Sequence, residues 1–392
     1  MRAKVCWRQS RQRALLAARS VRPQLRGFSL VELLIALAIS AILLAAIAEL
    51  FANITDTNRE MAKTNSQIEN ARYAMQFMGA DLVHAGYWGG HVPEWDDLAF
   101  YSDPTDYPTA LPDPCAAFAT WDAAYANQIL GLPIQVYDAV PGSCGSVVNN
   151  KLANTDIVVV RHAETCIAGA AGCPTSAGDS ELFFQVSNCA SEVAVKAYFA
   201  LDPNTLPLTQ LDCDTSMPSP KRRFVQNLYY VRDYSVTTGD GIPTLVRSEL
   251  RLSGGTISHQ PAQALVEGVE RLRIELGLDL VSDSGDSVPV LPAAIVWASS
   301  TNYDSPTNRG DGVPETYVSC GSGCSVYQLA NAVTVSVNIL ARANEPSPGY
   351  VDNKTYTLAG VAQTGLPGGY KRHVFSQIVR INNVSGRRET PL

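Results

Sequence analysis

Phe28–Ala48 reads FSLVELLIALAISAILLAAIA, and the rest of the chain is organised around this run. It holds 21 residues, and Glu32 is its sole ionisable side chain. As a helix rising 1.5 Å per residue it is ~31 Å long, enough to cross a hydrocarbon core of ~30 Å. Secretory signals have a shorter apolar core followed by small residues at a cleavage site. Here apolar character continues into Leu50 and Phe51, so no cleavage is expected behind the span. Ahead of it, the first 26 residues carry eight basic side chains (Arg2, Lys4, Arg8, Arg11, Arg13, Arg19, Arg22, Arg26) and no acidic one. Basic charge before the span and an acidic bulk behind it place the N-terminus in the cytoplasm and the remainder outside.

The chain has 392 residues and 46% apolar content, that of a globular protein with one large or two ordinary domains. Its formal charge of −7 understates how acidic the body is. Without the eight leading cations, 22 basic residues face all 37 acidic ones, a balance of −15. That excludes broad binding to a phosphate backbone, which depends on Lys and Arg displacing counterions.

Of nine cysteines, Cys6 precedes the span and eight follow it: Cys115, Cys144, Cys166, Cys173, Cys189, Cys213, Cys320 and Cys324. None stands in a CxxC or a zinc-finger spacing, so an even set outside the cytoplasm reads as disulfides in an oxidising compartment. Eight cysteines allow 105 pairings. Sequence proximity favours Cys166 with Cys173 and Cys320 with Cys324, and more loosely Cys115 with Cys144 and Cys189 with Cys213.

Glu32 is the anomaly within the apolar run. A carboxylate in a membrane-spanning helix costs about 2.5–3.5 kcal/mol on insertion scales, so it needs either the interface or an opposite charge. Its context is Arg26-Gly27-Phe28-Ser29-Leu30-Val31-Glu32. This string after a basic leader resembles the processing site of type IV pilins and type II secretion pseudopilins. The resemblance implies a membrane prepilin peptidase that cuts between Gly27 and Phe28 and N-methylates Phe28. It also implies that Glu32 attracts the charged terminal amine of a neighbouring subunit as helices pack into a filament.

No Gly or Pro occurs from Phe28 to Met78, so nothing interrupts a helix there. Past the span, Ile54, Met61, Ile68, Met75 and Leu82 recur every seven residues. This narrow apolar stripe is expected to be the seam along which the lower half of the helix docks on the head. The helix should stop near Ala85, before the glycines at Gly86, Gly89 and Gly90.

The expected domains are a leader over 1–27, a helix over 28–85 (28–48 transmembrane, 49–85 amphipathic) and a β-rich head over 86–392. Residues 91–150 are punctuated by proline and read as loops. Strands are expected at Thr155–His162, Glu181–Ser187, Arg223–Val236, Thr244–Leu252, Leu272–Leu280, Ala332–Ala341 and Val374–Asn382, with a hairpin turn at Gly239–Gly241. A short helix is expected through Ala264–Val269. The fold class is α+β: a long N-terminal α-helix, membrane-spanning in its first half, packed against an antiparallel β-sheet head with long loops.

The head extends the resemblance. The segments Gly79–Leu82 with Ala85–Gly89, Tyr229–Val231 leading to Ile242–Leu245, Leu265–Glu270, Ala330–Ala343 and Arg372–Phe375 together resemble a PilW-type minor pilin. That family is similar to the minor pseudopilin J of type II secretion. The resemblance implies a structural protein of the inner membrane, head in the periplasm and later on the pilus, that helps initiate or cap a type IV pilus. Its implied partners are the prepilin peptidase, other minor pilins, the major pilin and a tip adhesin. Alternatives are a tip binding module (adhesin or DNA receptor) and a secretion pseudopilin.

No catalytic or cofactor motif is present: HExxH, GxSxG and both phosphate-binding glycine patterns are missing. No enzyme activity, cofactor or metal is therefore expected. Asn308–Glu315 has the look of a calcium loop but fails the EF-hand register, which leaves a Gly-rich turn or an irregular calcium site. Lys221, Arg222, Arg223 and Arg232 with Phe224, Tyr229, Tyr230 and Tyr234 interleave bases and aromatics as a DNA-stacking surface does, or else alternate between core and solvent on one strand.

Overall fold

The computed structural model describes residues 27–98, 100, 102–179, 181–290, 295–297, 306–321 and 323–389. The basic leader expected at 1–27 lies outside the described residues except for Gly27. One helix, α1, runs from Leu30 to His84 over 55 residues and stops one residue before the expected end. The chain divides into two units between Arg59 and Glu60.

In the first unit, fourteen large apolar side chains between Phe28 and Phe51 are exposed. This part of α1 is long and apolar enough to cross a membrane. Among the described residues it packs into no core.

The second unit is built from strands β1 (Ile134–Tyr137), β2 (Ile157–Ala163), β3 (Phe183–Val186), β4 (Phe199–Asp202), β5 (Lys221–Arg232), β6 (Thr244–Ser253), β7 (Thr256–His259), β8 (Gln263–Glu267), β9 (Val269–Leu278), β10 (Thr316–Ser319), β11 (Ala332–Arg342), β12 (Tyr356–Leu358), β13 (Val361–Gln363) and β14 (Arg372–Arg380). They form an eight-stranded sheet along β1-β2-β5-β3-β4 with β6, β7 and β8 attached through β6, a four-stranded sheet β10-β9-β11-β14, and the hairpin β12-β13. Every pairing is antiparallel.

In the four-stranded sheet, apolar side chains recur at every second residue through the middle of β9 and β11. Leu272, Ile274 and Leu276 of β9 and Val335, Val337 and Ile339 of β11 are buried, and they share one core with Met75, Met78 and Leu82 of α1. A strand side chain recurs on the same face every second residue, so one face is presented to the helix. The eight-stranded sheet feeds two further clusters, one around Trp88, Phe184 and Phe224 and one around Leu228, Tyr230 and Val246.

Ala264–Val269 forms no helix, against the sequence expectation: Gln263–Glu267 is strand β8, paired to β6. Gly268 separates β8 from β9 at φ +79, donates its N–H to Pro243 O at 2.8 Å and accepts from Arg342 N at 2.8 Å. A Cβ there would lie 2.6 Å from the Arg342 carbonyl oxygen. Six residues containing a left-handed glycine cannot propagate a helix, and Leu265 and Val266 gain more by extending β6.

The docking seam also needs correction. Ile54 is 49% exposed and Met61 59% exposed, Ile68 is half-buried, and Met75 and Leu82 are buried. The buried residues of α1 are Gln67, Ala71, Ala74, Met75, Met78, Gly79 and Leu82, at helical spacings of three and four. A straight helix drifts ~20° per heptad from a seven-residue row, so residues two or more heptads below Met75 turn off the face. Ala71, Ala74 and Gly79 let the helix lie close to the sheet.

Four disulfides close within the head: Cys115–Cys144, Cys166–Cys173, Cys189–Cys213 and Cys320–Cys324. Each joins near neighbours in sequence, separated by 29, 7, 24 and 4 residues, and so secures local loops rather than bridging the sheets.

Candidate functional site

The first feature is the start of α1. Ser29 N–H donates to Glu32 Oε2 at 2.9 Å, and Glu32 N–H donates to Ser29 Oγ at 3.1 Å. This reciprocal pair is a capping box, which satisfies two of the otherwise orphaned N–H groups of a helix start. Its signature, Ser-x-x-Glu ahead of an apolar run, is present in the sequence. Glu32 is thus a helix cap within the single chain, and its second oxygen has no hydrogen bond among the described residues. Phe28 is 86% exposed, and nothing lies within 4 Å of where a Gly27 Cβ would stand. The fold itself makes no demand for glycine at position 27.

The second feature is the clamp that holds α1 to the sheets. At Glu60, where the compact unit begins, the carboxylate meets Lys371 Nζ at 2.6 Å and Ser347 Oγ at 2.5 Å. The Lys371 hydrogen bond, followed by that from Ser347, lowers the Glu60 pKa to about 2. Lys63 donates to Pro346 O at 3.0 Å. One and two turns further on, Gln67 donates to Ala341 O at 2.6 Å and Asn70 to Glu267 O at 3.3 Å.

Near the end of α1, Asp81 is the hub. Its oxygens bond His162 Nε2 at 2.8 Å, Tyr229 Oη at 2.8 Å and Asn227 Nδ2 at 3.0 Å. Burial acts to raise the Asp81 carboxyl. The His162 hydrogen bond and charge, with Asn227 and Tyr229, outweigh it and hold the group below the ordinary carboxylate range.

The C-terminal helix Asn382–Arg388 closes the clamp. Asn383 Nδ2 lies 3.2–3.3 Å from the carbonyls of Val83, His84 and Ala85, at the C-terminus of α1, where carbonyls lack intrahelical partners. Arg388, fully buried, bonds Asp96 Oδ1 at 2.9 Å, Asp279 Oδ2 at 3.2 Å and Ala330 O at 2.7 Å. Arg387 reaches Asp96 Oδ2 at 2.8 Å. Nothing in the sequence spacing linked positions 387 and 388 to 96 and 279, because ion pairs across more than a hundred residues carry no local pattern.

The loop Asn308–Glu315 wraps the Asp279 carboxylate. Asp311 N–H donates to it at 3.0 Å and Gly312 N–H at 2.9 Å. A Cβ at Gly310 would stand 1.8 Å from Asp279 Oδ1, so glycine is required there. Carboxylate oxygens of Asp279, Asp311 and Glu315 lie within 4.8 Å of one another. Asp279 is already engaged by two N–H groups and Arg388, and Glu315 accepts from Leu280 N–H at 2.5 Å. Burial, only partly offset by Arg388, pushes Asp279 up to about 6. The glycine-rich pattern therefore has an internal anion at its centre.

The base–aromatic interleaving on β5 is structural. Tyr229, Tyr230 and Phe224 are at most 1% exposed, Lys221 lies over the Phe183 ring at 4.1 Å, and Arg223 pairs with Glu164 at 2.8 Å. Buried rings offer no face on which a base can stack.

The family described as Prokaryotic N-terminal methylation motif matches residues 24–48. The family described as Type IV Pilus-assembly protein W matches residues 228–383, from β5 into the C-terminal helix. No curated protein matches the chain. Among solved structures, a type IV-like pilin from Thermus thermophilus is 12% identical, with a TM-score of 0.29 over 64% of this chain and 82% of that one.

Proposed function

Taking as premise that this chain is a PilW-type minor pilin acting in type IV pilus assembly, we propose that it enters the inner membrane as a prepilin and is cut between Gly27 and Phe28. The N-terminus faces the cytoplasm, α1 crosses the membrane once over 28–48, and the disulfide-bearing head folds in the periplasm. Prepilin peptidase then methylates Phe28. The observation that carries this reading is the contrast within α1. Fourteen large apolar side chains from Phe28 to Phe51 are exposed, while the same helix is clamped to a packed head from Glu60 onward. An apolar surface of that extent requires lipid first and neighbouring helices later.

The free glycine supports the cut. Since the fold leaves space for a side chain at position 27, the requirement for glycine comes from a protease subsite. Glu32 supports docking: its capping box uses one oxygen, and the other is available to the terminal amine of an adjacent subunit.

A head of this size fits poorly in a closely packed shaft. We place the protein at the filament tip, where it initiates or caps the pilus with other minor pilins and contacts the major pilin below. The test is mass spectrometry of the N-terminal peptide from the membrane fraction. N-methylated Phe28 as the first residue is expected, together with its loss in Gly27→Leu. A mature chain that still begins before Gly27 contradicts the reading.

A further inference from the structure

We propose that the free edge of β14 receives an edge strand of a different pilin-type subunit anchored in the same membrane. This rests on the reading above, that the chain stands beside other pilins, and deepens it by naming the surface.

β14 is last in the order β10-β9-β11-β14 and pairs with β11 alone. It is nine residues long. The other edge strands among the described residues are far shorter: β1, β4, β7 and β10 have four residues each and β8 has five. Proteins protect sheet edges by keeping them short or by placing proline, charge or a bulge on them. Val374–Val379 carries no proline, glycine or charged side chain, and its register with β11 has no shift. Among the described residues this edge alone runs over six residues, Val374–Val379, without such a device.

The direction of its free groups follows from two bonds beyond the strand ends. Ile381 N–H donates to Val333 O at 2.9 Å, and Ala343 N–H donates to Lys371 O at 3.1 Å. Odd-numbered residues of β14 therefore face β11. In an antiparallel ladder the alternate residues point the other way, which leaves the N–H and C=O of Val374, Ser376 and Ile378 directed off the sheet. No described residue bonds them. Ser376, Gln377 and Ile378 are all exposed, Ile378 by 61%. The edge is thus exposed over Ser376–Ile378, while Val374 packs on Tyr356 and Leu358 and Phe375 and Val379 pack on the core shared with α1.

Geometry selects the occupant. A second copy pairing β14 antiparallel with β14 is related by a twofold axis perpendicular to the sheet, which reverses the α1 that packs along its face, and two chains anchored in one membrane cannot be so arranged. A parallel β14–β14 pair sets the two α1 helices on opposite faces of the joint sheet, where they cannot pack on one another. Because all four strands are antiparallel, β10 and β14 run in opposite directions. A neighbour of the same build standing the same way up thus offers its first edge antiparallel to β14, and the ladder continues. This chain's own β10 has only four residues, which leaves most of β14 unpaired, so a pilin with a longer edge strand is required. Main-chain bonds then supply affinity and the flanking side chains supply specificity.

The test uses the full-length chain restored to a strain lacking it. Ser376→Pro removes an outward N–H, Ile378→Lys places a charge on the edge with the backbone intact, and Gln377→Pro breaks the bond to β11 as a folding control. The first two are expected to keep wild-type membrane levels and melting temperature while surface pili fall at least tenfold. Benzoylphenylalanine at position 378 is expected to photocrosslink to the edge strand of another chain bearing a prepilin motif. Should Ser376→Pro fail to fold, Ile378→Lys decides. Full piliation by folded Ile378→Lys, or crosslinks only to copies of this chain or to no pilin-type chain, overturns the proposal and leaves the assembly reading standing. Normal pili in the strain lacking the chain overturn the assembly reading itself.

Discussion

Asp81, on the last turn of α1, and His162, on β2, lie 2.8 Å apart in the interior, and this contact joins α1 to the eight-stranded sheet. Tyr229 and Asn227 of β5 complete the shell around the carboxylate. Removing it leaves three polar partners buried without their acceptor. Asp81→Ala is expected to lower stability by about 3 kcal/mol, read from denaturant unfolding of the detergent-solubilised chain. A loss under 1 kcal/mol contradicts its role as hub.

The same residue sets an acid limit. The folded-state pKa of Asp81 lies below its unfolded value, so its contribution is fully present above the ordinary carboxylate range and is lost as pH falls through the depressed value. Melting temperature is expected to fall below about pH 4 in the wild type, and less steeply in Asp81→Asn.

Asp106 acts in the opposite sense. Burial, reinforced by the neighbouring Glu94 charge, pushes its carboxyl up to about 6. The folded value exceeds the unfolded one, so its contribution is present below about pH 4 and is lost as pH rises through about 6. Asp106→Asn is expected to remove a decline in melting temperature across that window. An unchanged profile contradicts the assignment.

Asn383 caps the C-terminus of α1 from the far end of the chain. Asn383→Ala is expected to cost about 1 kcal/mol and to speed hydrogen exchange at the amides of the last turn of α1, with the N-terminal half of the helix unaffected.

Gly268→Ala combines a left-handed φ with a Cβ placed 2.6 Å from the Arg342 carbonyl oxygen. A loss of about 2 kcal/mol or more is expected in the same unfolding measurement. A neutral effect contradicts the close approach of β8, β9 and β11 at this point.

The legible parts of this chain were those written in local pattern. The apolar run from Phe28, the alternation of Leu272, Ile274 and Leu276, and the antiparallel α+β class each follow from period and composition. The helix expected over Ala264–Val269 failed because a six-residue apolar segment does not distinguish a turn of helix from a strand, and the deciding group is a carbonyl seventy residues away at Arg342. The seam failed below Ile68 because a seven-residue row and a straight helix drift apart. Asp81, Asn383 and Arg388 were invisible as a clamp, since each partner lies 57 or more residues distant. The capping box at Ser29 and Glu32 was legible, and the membrane cost of a carboxylate drew the reading elsewhere.

The central claim is that the chain is a processed minor pilin needed to build the filament. Its most direct test is the number of surface pili in a deletion strain carrying either the wild-type chain or Glu32→Ala. The account expects few or no pili in the deletion, recovery with the wild type and none with Glu32→Ala at equal membrane levels. Normal pilus numbers in the deletion strain contradict it.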